Sequence, residues 1–254
     1  MSVMRFRLLS LVRFTSAVAI FAITFSQSSF ASAGADAIPP AVLAASVVHV
    51  RADAGPSLIG LVPTATATGF FVSDNLVLTC NHVTRVDGWR KRADANRFTV
   101  ALGRGLQANA KLVMRDEESD LALLLVDLPP CGRTVWPALR VGKFTLKPGD
   151  DVAVVANFRN DVRLVRGPLL ASEHLDRFAV AGAKVREGYS GGPILGPSGD
   201  VQGMLSQRDD DDNAMFVRSS VIRDFLQEYQ KLSGEEIKAL SMSGKPNAKK
   251  RRVR

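Results

Sequence analysis

One serine of the chain lies among three glycines in the segment Gly188-Tyr189-Ser190-Gly191-Gly192-Pro193-Ile194. Glycines allow backbone N–H groups to come close to a small, negatively charged atom. A serine hydroxyl is a poor nucleophile at neutral pH. It therefore reacts only where a base accepts its proton and N–H donors stabilise the oxyanion. By itself, the segment is equally compatible with a tight turn that exposes an unreactive serine.

The base in such a site would be a histidine, and the chain contains only His49, His82 and His174. His82 directly follows the run Leu76–Asn81, which is apolar enough to predict a strand. A strand in this position would deliver the imidazole to the edge of the hydrophobic core. The alternative is a histidine that serves only as a capped core residue.

Asp120 is the candidate carboxylate. It ends a polar cluster, 116–119, and directly precedes the apolar run Leu121–Val126. A carboxylate beside such a run needs a hydrogen-bonding partner, because an unpaired buried charge costs several kcal/mol. A histidine N–H would supply that partner. The alternative is a solvated acid in a turn.

The elements that must position these residues are short apolar runs, separated by Gly, Asp, Asn and Pro. Regular short strands of this kind predict an all-β sandwich or barrel. Asp74-Asn75 predicts a hairpin turn between two of the runs. Helical spacing of apolar residues predicts one helix from Ser220 to about Leu232, with Ser220 as its N-cap. The runs lie at Ser46–Val50, Gly69–Val72, Leu76–Thr79, Phe98–Leu102, Leu121–Val126 and Val152–Ala156.

The order His82, Asp120, Ser190 resembles that of the chymotrypsin-like serine proteases. The motifs around these residues are most similar to those of the bacterial HtrA/Deg branch. The similarity extends from about Ser46 to Phe225. It is carried by Gly69-Phe70-Phe71-Val72, Thr79-Cys80-Asn81-His82-Val83, Arg115-Asp116 with Ser119-Asp120-Leu121-Ala122, Gly188-Tyr189-Ser190-Gly191-Gly192-Pro193 and Gly199-Asp200-Val201-Gln202-Gly203-Met204.

The resemblance implies two antiparallel Greek-key β-barrels with the active site in the cleft between them, followed by a C-terminal helix. It assigns Ser190 as the nucleophile, His82 as the general base and then acid, and Asp120 as the group that fixes the imidazole tautomer. The N–H groups of Gly188 and Ser190 would form the oxyanion hole. The implied reaction is hydrolysis of polypeptide substrates through an acyl-enzyme, without metal or cofactor. The alternative is a catalytically silent relative that binds peptides as a chaperone does.

Two departures from the HtrA pattern lie beside the nucleophile. Tyr189 stands where that branch more often has Asn, and Glu187 where it often has Pro. Both are expected to affect the shape of the oxyanion loop without removing a catalytic group. Only about 22 residues follow the predicted helix, so a PDZ domain is not expected, and the sequence leaves the oligomeric state open.

The resemblance places the primary specificity pocket at positions that include Lys184, Ser206 and Arg208. A cation at the pocket base would favour an acidic side chain before the scissile bond. The alternative is that Lys184 and Arg208 are solvated and the pocket accepts small apolar residues. The nearby run 209–212 consists of four aspartates and is expected to be a solvated loop, with a weak cation site as its alternative.

The net charge of +8 on 254 residues arises at the two ends of the chain, because residues 34–240 carry 24 basic residues against 25 acids. A broad nucleic-acid-binding face is therefore not expected. Residues 1–33 have the order of a secretory signal, with three Arg, the apolar stretch Ala17–Phe25 and then Ala31-Ser32-Ala33. The prediction is an exported protein, periplasmic or extracellular, with its protease domain at 34–232.

Residues 233–254 form a basic tail that is expected to be disordered and could contact acidic surfaces. The chain has only two cysteines, Cys80 and Cys131. Export permits a disulfide, so one bridge or two independent thiols are both open.

Overall fold

The structure is a computed structural model. It describes residues 38–55, 63–87, 92–103, 105–128, 136–159, 161–170 and 177–232, and the backbone of 247–248. The predicted signal segment, His174 and Cys131 lie outside these residues, as does the basic tail apart from 247–248. Neither helix in the described part of the chain is long and apolar enough to cross a membrane.

Six strands close the first barrel. They run in the order β7-β6-β1-β2-β3-β8, and β7 pairs with β8 to complete the ring. A short strand, β15 at Asn247–Ala248, pairs in parallel with β7. The six strands are β1 Val47–Asp53, β2 Thr64–Phe71, β3 Leu76–Cys80, β6 Arg97–Gly103, β7 Leu106–Asp116 and β8 Leu121–Val126.

The second barrel is also closed by six strands, in the order β10-β11-β14-β13-β12-β9, and β9 pairs with β10. Both barrels have the same connectivity, in which the fourth strand lies beside the first, as in a Greek key. The strands are β9 Asp151–Phe158, β10 Asp161–Leu170, β11 Phe178–Lys184, β12 Pro193–Leu195, β13 Val201–Arg208 and β14 Asn213–Arg218.

The remaining elements of the described residues are two helices, a 3-10 turn and a small ribbon. They are α1 Pro40–Ser46, the turn His82–Thr84, the ribbon strands β4 Arg85–Asp87 and β5 Arg92–Asp94, and α2 Ser219–Gln230. The predicted fold of two antiparallel barrels and a C-terminal helix is confirmed, and so is the hairpin at 74–75 between β2 and β3. The sequence did not predict α1 or the ribbon, which are too short to show a clear period.

The predicted N-cap of the C-terminal helix is corrected by two residues. Arg218, not Ser220, is the N-cap of α2, and no side chain among the described residues caps the helix. The Arg218 guanidinium instead donates to the Phe178 carbonyl of β11 at 3.0 Å. The last residue of β14 is therefore also the residue from which the helix starts, and Ser220 lies within the helix.

Three hydrophobic clusters among the described residues hold the fold together. One fills the first barrel and includes Trp136, and another fills the second barrel and includes Tyr189. The third joins the two barrels and α2, because Phe70 of β2, Met204 of β13 and Ile222 of α2 are all fully buried in it. Residues far apart in the sequence thus share one apolar interior between the barrels.

Candidate active site

The pairing of β3 with β8 brings the candidate base and carboxylate together. In this antiparallel register Cys80 lies opposite Leu121, so the residues that follow β3 meet the residue that precedes β8. The Asn81 N–H donates to the Asp120 carbonyl at 3.1 Å. The adjacent His82 therefore lies beside Asp120, although 38 positions separate them in the chain.

Asp120 is held in an unusual backbone conformation by its hydrogen bonds. Its φ is 54°, in the left-handed region that Asp tolerates better than most residues. The carboxylate accepts from the His82 backbone N–H at 2.8 Å and lies 2.9 Å from the imidazole Nδ1. The Ser206 hydroxyl donates to the same carboxylate at 2.5 Å. The Asp120 side chain is 17% exposed and that of His82 is 42% exposed, so the imidazole is open to solvent while its partner is largely shielded.

The loop that carries Ser190 is fixed to both barrels. The Ser190 carbonyl accepts from the Thr68 N–H of β2 at 2.9 Å, and the Gly191 N–H donates to the Leu205 carbonyl of β13 at 2.7 Å. Gly191 has a φ of +86°, and a Cβ there would collide with the Thr68 carbonyl oxygen. Glycine is therefore required at this position by both the backbone conformation and the available space.

A tight turn shapes the backbone just before the serine. The Tyr189 N–H donates to the Arg186 carbonyl at 3.2 Å, and Gly188 has a φ of +85°, as a type II turn requires at its third residue. The Gly188 carbonyl accepts from the Thr68 hydroxyl at 3.0 Å. Among the described residues, no backbone group accepts from the N–H of Gly188 or Ser190, so both N–H groups remain available to a ligand.

His82, Asp120 and Ser190 line one open cleft of about 780 Å³. Within the described residues the imidazole is hydrogen-bonded to Asp120, and no hydrogen bond joins it to the Ser190 hydroxyl. Contacts of this kind often tighten only when substrate binds. The cleft is also lined by apolar side chains, and these include Phe178, Val185, Leu205 and Met215.

The three residues predicted for the specificity pocket have different positions. Ser206 lines the cleft but directs its hydroxyl to Asp120. Arg208 also lines the cleft, and its guanidinium lies 2.8 Å from the Asp212 carboxylate. Lys184 is not among the cleft-lining residues, because its ammonium donates to the Asp211 carbonyl at 2.6 Å and to Asn213 Oδ1 at 3.0 Å.

The aspartate-rich loop at 209–212 is organised by its own hydrogen bonds. The Asp209 carboxylate accepts from the N–H groups of Asp211 and Asn213 at 3.0 and 2.8 Å. Desolvation acts to raise the pKa of Asp209, but the hydrogen bonds from Asn213 and Asp211 outweigh it, so the pKa is lowered. Lys184 and Arg208 bind the same loop, and their charges are therefore partly neutralised there.

Cys80 is a free, fully buried thiol directly beneath the His82–Asp120 pair. Its Sγ lies 3.1 Å from the Leu205 carbonyl, to which it donates. Burial, and then the negative charge of Asp120, raises the pKa of the thiol well above its ordinary value. Cys80 is therefore protonated at neutral pH. The sequence left open a disulfide bridge or two independent thiols, and the structure has a free thiol at Cys80.

The two residues that depart from the HtrA pattern beside Ser190 occupy contrasting environments. Tyr189 is 6% exposed and packs in the core of the second barrel, while Glu187 lines the cleft. The residue before the serine is thus anchored by a buried aromatic ring, which a smaller Asn could not provide.

Sequence reasoning missed the function of Ser206 as a donor to Asp120. It also missed a polar connection between the barrels, in which the Asn157 N–H donates to the Thr68 hydroxyl at 3.0 Å and its side-chain amide donates to the Val47 carbonyl at 2.8 Å. These partners lie 86 to 110 positions apart, and no local pattern marks them.

A family model described as the trypsin-like peptidase domain matches residues 67–204, more than half of the chain. This match includes the strands and loops that carry His82, Asp120 and Ser190. The chain belongs to the trypsin-like peptidase family. The match ends before α2, which follows the second barrel of this trypsin-like domain.

Curated relatives of this trypsin-like chain include two proteins named probable periplasmic serine endoprotease DegP-like. The one from Rhizobium meliloti (strain 1021) is 32% identical over 149 residues, which cover 57% of this chain and 28% of that protein. The one from Hahella chejuensis (strain KCTC 2396) is 32% identical over 147 residues, which cover 56% of this chain and 30% of that protein. The chain thus matches less than a third of the length of these relatives.

Solved structures show the same fold. The active form of the Rv3671c protease from M. tuberculosis is similar with a TM-score of 0.62 at 24% identity, covering 76% of this chain and 84% of that one. The inactive form of that protease gives a TM-score of 0.56 at 23% identity, covering 74% of this chain and 90% of that one.

Proposed function

We propose that this trypsin-like chain is an exported serine endopeptidase that hydrolyses peptide bonds through an acyl-enzyme. The observation that carries the proposal is the 2.9 Å contact between His82 Nδ1 and the Asp120 carboxylate, in a cleft that Ser190 also lines. Family membership and the DegP-like relatives support the same reaction class.

Asp120 prepares the imidazole for proton transfer. By accepting from Nδ1–H it holds the tautomer whose free lone pair is on Nε2, the atom that takes the Ser190 proton during attack on the carbonyl carbon. The protonated imidazole then gives that proton to the leaving amine, and a water molecule repeats the sequence to release the acyl group. The negative Asp120 carboxylate stabilises the imidazolium in both halves of the reaction.

The oxyanion that forms during attack would be stabilised by the N–H groups of Gly188 and Ser190. Both are free of backbone acceptors among the described residues, and the turn before Ser190 is fixed through the Thr68 hydroxyl and the Tyr189 ring. This fixed geometry costs little reorganisation when charge develops, so the two donors can act fully in the transition state.

The cleft supports a preference for an apolar side chain before the scissile bond. Val185, Leu205 and Met215 line it, while the charges of Lys184 and Arg208 are directed to the loop at 209–212. Cleavage of a peptide library should therefore enrich small apolar residues at this position. Enrichment of Asp or Glu would instead favour Lys184 or Arg208 as a pocket cation.

The decisive experiment compares the purified protein with its Ser190→Ala variant on casein or a fluorogenic peptide. Loss of the nucleophile should lower turnover by roughly 10⁴- to 10⁶-fold. Ser198→Ala is the matched control, because Ser198 is an exposed turn residue outside the cleft-lining set. A fluorophosphonate should label the wild type and Ser198→Ala, and leave Ser190→Ala unlabelled.

A protein that binds extended peptide yet shows neither turnover nor labelling would contradict the proposal and would match the catalytically silent alternative. Export is tested separately, by locating the full chain after cell fractionation and sequencing its N-terminus. A mature end near residue 34, in the periplasm or the medium, is expected from the predicted signal segment. The periplasmic names of the relatives support this location.

A further inference from the structure

Three potential metal ligands meet behind the imidazole of the proposed triad. Cys80 Sγ, His82 Nδ1 and an oxygen of the Asp120 carboxylate lie within 4.8 Å of one another. No step of peptide-bond hydrolysis uses Cys80. We propose that this cluster is an inhibitory site for a borderline or soft divalent cation of the Zn²⁺ class. The inhibition rests on the proposed function, whereas the binding itself does not.

The donor set decides which cations fit. Thiolate, imidazole and carboxylate together suit Zn²⁺ and softer divalent ions, while Mg²⁺ and Ca²⁺ prefer sites made only of oxygen. Metal–ligand bonds of about 2.0–2.3 Å place neighbouring ligand atoms roughly 3.4–3.7 Å apart in a tetrahedral site. The Nδ1–carboxylate contact of 2.9 Å must therefore open slightly, and the thiol must approach.

The surrounding contacts permit this adjustment. The His82 side chain is 42% exposed and borders the cleft, so it can shift and admit an ion. The Ser206 hydroxyl can continue to donate to Asp120, which leaves a carboxylate oxygen for the metal. When the Cys80 thiol turns away from the Leu205 carbonyl, that carbonyl still accepts from the Gly191 N–H at 2.7 Å. The thiol also gives up its longer, 3.9 Å contact with the Ser206 carbonyl.

Binding at Nδ1 has a direct consequence for the general base. The thiol proton is released to solvent as the metal–sulfur bond forms, and the imidazole proton moves from Nδ1 to Nε2 as the metal–nitrogen bond forms. One proton is released in total, and no electron is transferred. Nε2 then carries a hydrogen and has no lone pair for the Ser190 proton, so attack on the substrate stops.

Direct binding is tested in the Cys131→Ser variant, in which Cys80 is the only cysteine. Titration with Cd²⁺, which has spectroscopically visible thiolate complexes, should give an ultraviolet sulfur-to-metal charge-transfer band that saturates at one ion per chain. Adding His82→Ala to this variant should weaken Cd²⁺ binding by at least about 10-fold. The proposal would be overturned if Cys131→Ser gave no charge-transfer band. It would also be overturned if the Cd²⁺ affinity measured from the band were unchanged by His82→Ala.

Inhibition is tested by titrating Zn²⁺ against peptidase activity, each variant being scaled to its own activity without metal. Wild type and Cys131→Ser should be inhibited and should recover with a chelator. Cys80→Ala should require at least about 10-fold more Zn²⁺ for the same inhibition. Equal sensitivity of all three proteins would overturn the assignment of Cys80. If the protein proves to have no peptidase activity, the Cd²⁺ band still decides whether the metal site exists.

Discussion

Asp120 receives hydrogen bonds from two different directions. His82 approaches from the end of β3, and the Ser206 hydroxyl approaches from β13 of the other barrel. A carboxylate held on both sides cannot rotate toward solvent, so its position relative to the imidazole is fixed. If His82 is the base, as proposed, the Ser206 hydroxyl positions it by acting through Asp120.

Replacing Ser206 by Ala should slow turnover without weakening substrate binding. A hydrogen bond to a charged group contributes about 1.5–3 kcal/mol, which corresponds to a roughly 10- to 100-fold loss in kcat if it acts fully in the transition state. Steady-state kinetics should show this loss in kcat with little change in KM.

Ser119→Ala is the control for the Ser206 variant. Ser119 is equally buried and adjacent to Asp120, but its hydroxyl accepts from Arg177 at 3.2 Å. Its loss should leave kcat close to the wild-type value. An equal fall of kcat in both variants would show that buried hydroxyls in this region act through packing and not through the carboxylate.

His49, a second histidine, lies in β1 at the contact between the barrels. Its Nδ1 is buried without a hydrogen-bond partner among the described residues. Burial, assisted by the charges of Arg159 and Arg51, outweighs the opposing effect of the Asn157 backbone and lowers the pKa of His49 below 6.5. The folded protein thus holds His49 in its neutral form more strongly than the unfolded chain does.

This lowered pKa predicts a loss of stability in mild acid. As the pH falls below 6.5, the unfolded chain binds a proton at His49 before the folded protein does, so the free energy of unfolding decreases. His49→Gln removes the titration and should make unfolding less pH-dependent in this range. Urea unfolding of both proteins above and below pH 6.5 measures the difference, and identical pH slopes would contradict the argument.

At the scale of elements, the conformation of the loop that carries Ser190 depends on how closely β2 approaches it. Gly191 has a φ of +86°, and its Cα faces the Thr68 carbonyl with no room for a methyl group. Gly149 has a similar φ of +92°, but no atom of a described residue lies within 4 Å of a Cβ placed there. An alanine at Gly149 would add only the strain of the left-handed backbone, whereas an alanine at Gly191 would add both that strain and the collision with Thr68.

Gly149→Ala should lower the free energy of unfolding by about 1–2 kcal/mol, the cost of a left-handed conformation for an L-residue. Gly191→Ala should lower it by more than that, because β2 and the loop must also move apart. Urea denaturation of the two variants gives the comparison. Equal losses would mean that the loop relaxes freely away from β2, contrary to the tight contact in the structure.

At the scale of the whole molecule, the barrels share the cluster that contains Phe70, Met204 and Ile222. This apolar interior cannot remain buried if one barrel unfolds alone. The hydrogen bonds from Asn157 to Thr68 and Val47 also cross between the barrels. Independent unfolding of either barrel would therefore expose apolar surface and leave buried polar groups unpaired.

The protein should consequently unfold in one cooperative transition. In a Trp89→Phe background, Trp136 reports on the first barrel, where it packs against Phe71 at a ring separation of 6.4 Å. Its fluorescence transition should coincide with that of far-ultraviolet circular dichroism. Phe70→Ala should destabilise the fold by about 3–5 kcal/mol and move both transitions together. Separate midpoints would show that the barrels unfold independently.

The strands were predictable because their signal is local. Apolar runs such as Leu76–Thr79 and Leu121–Val126 are bounded by turn residues, and the structure has β3 and β8 at these places. The start of α2 was misplaced because Arg218 ends a strand and begins the helix, with a side chain bound to β11. A contact with a distant strand decided this boundary, and no cap residue in the sequence marks it.

The sequence by itself determined the residue types and their order: a histidine at the end of one strand, an aspartate before another, and a serine among glycines. These features depend on neighbours in the chain and are visible without coordinates. Only the tertiary structure decided that Ser206 binds Asp120, that Lys184 binds the loop at 209–212, and that Cys80 lies beside His82 and Asp120. Strand register and barrel closure set these contacts between residues far apart in the chain, so no local pattern contains them.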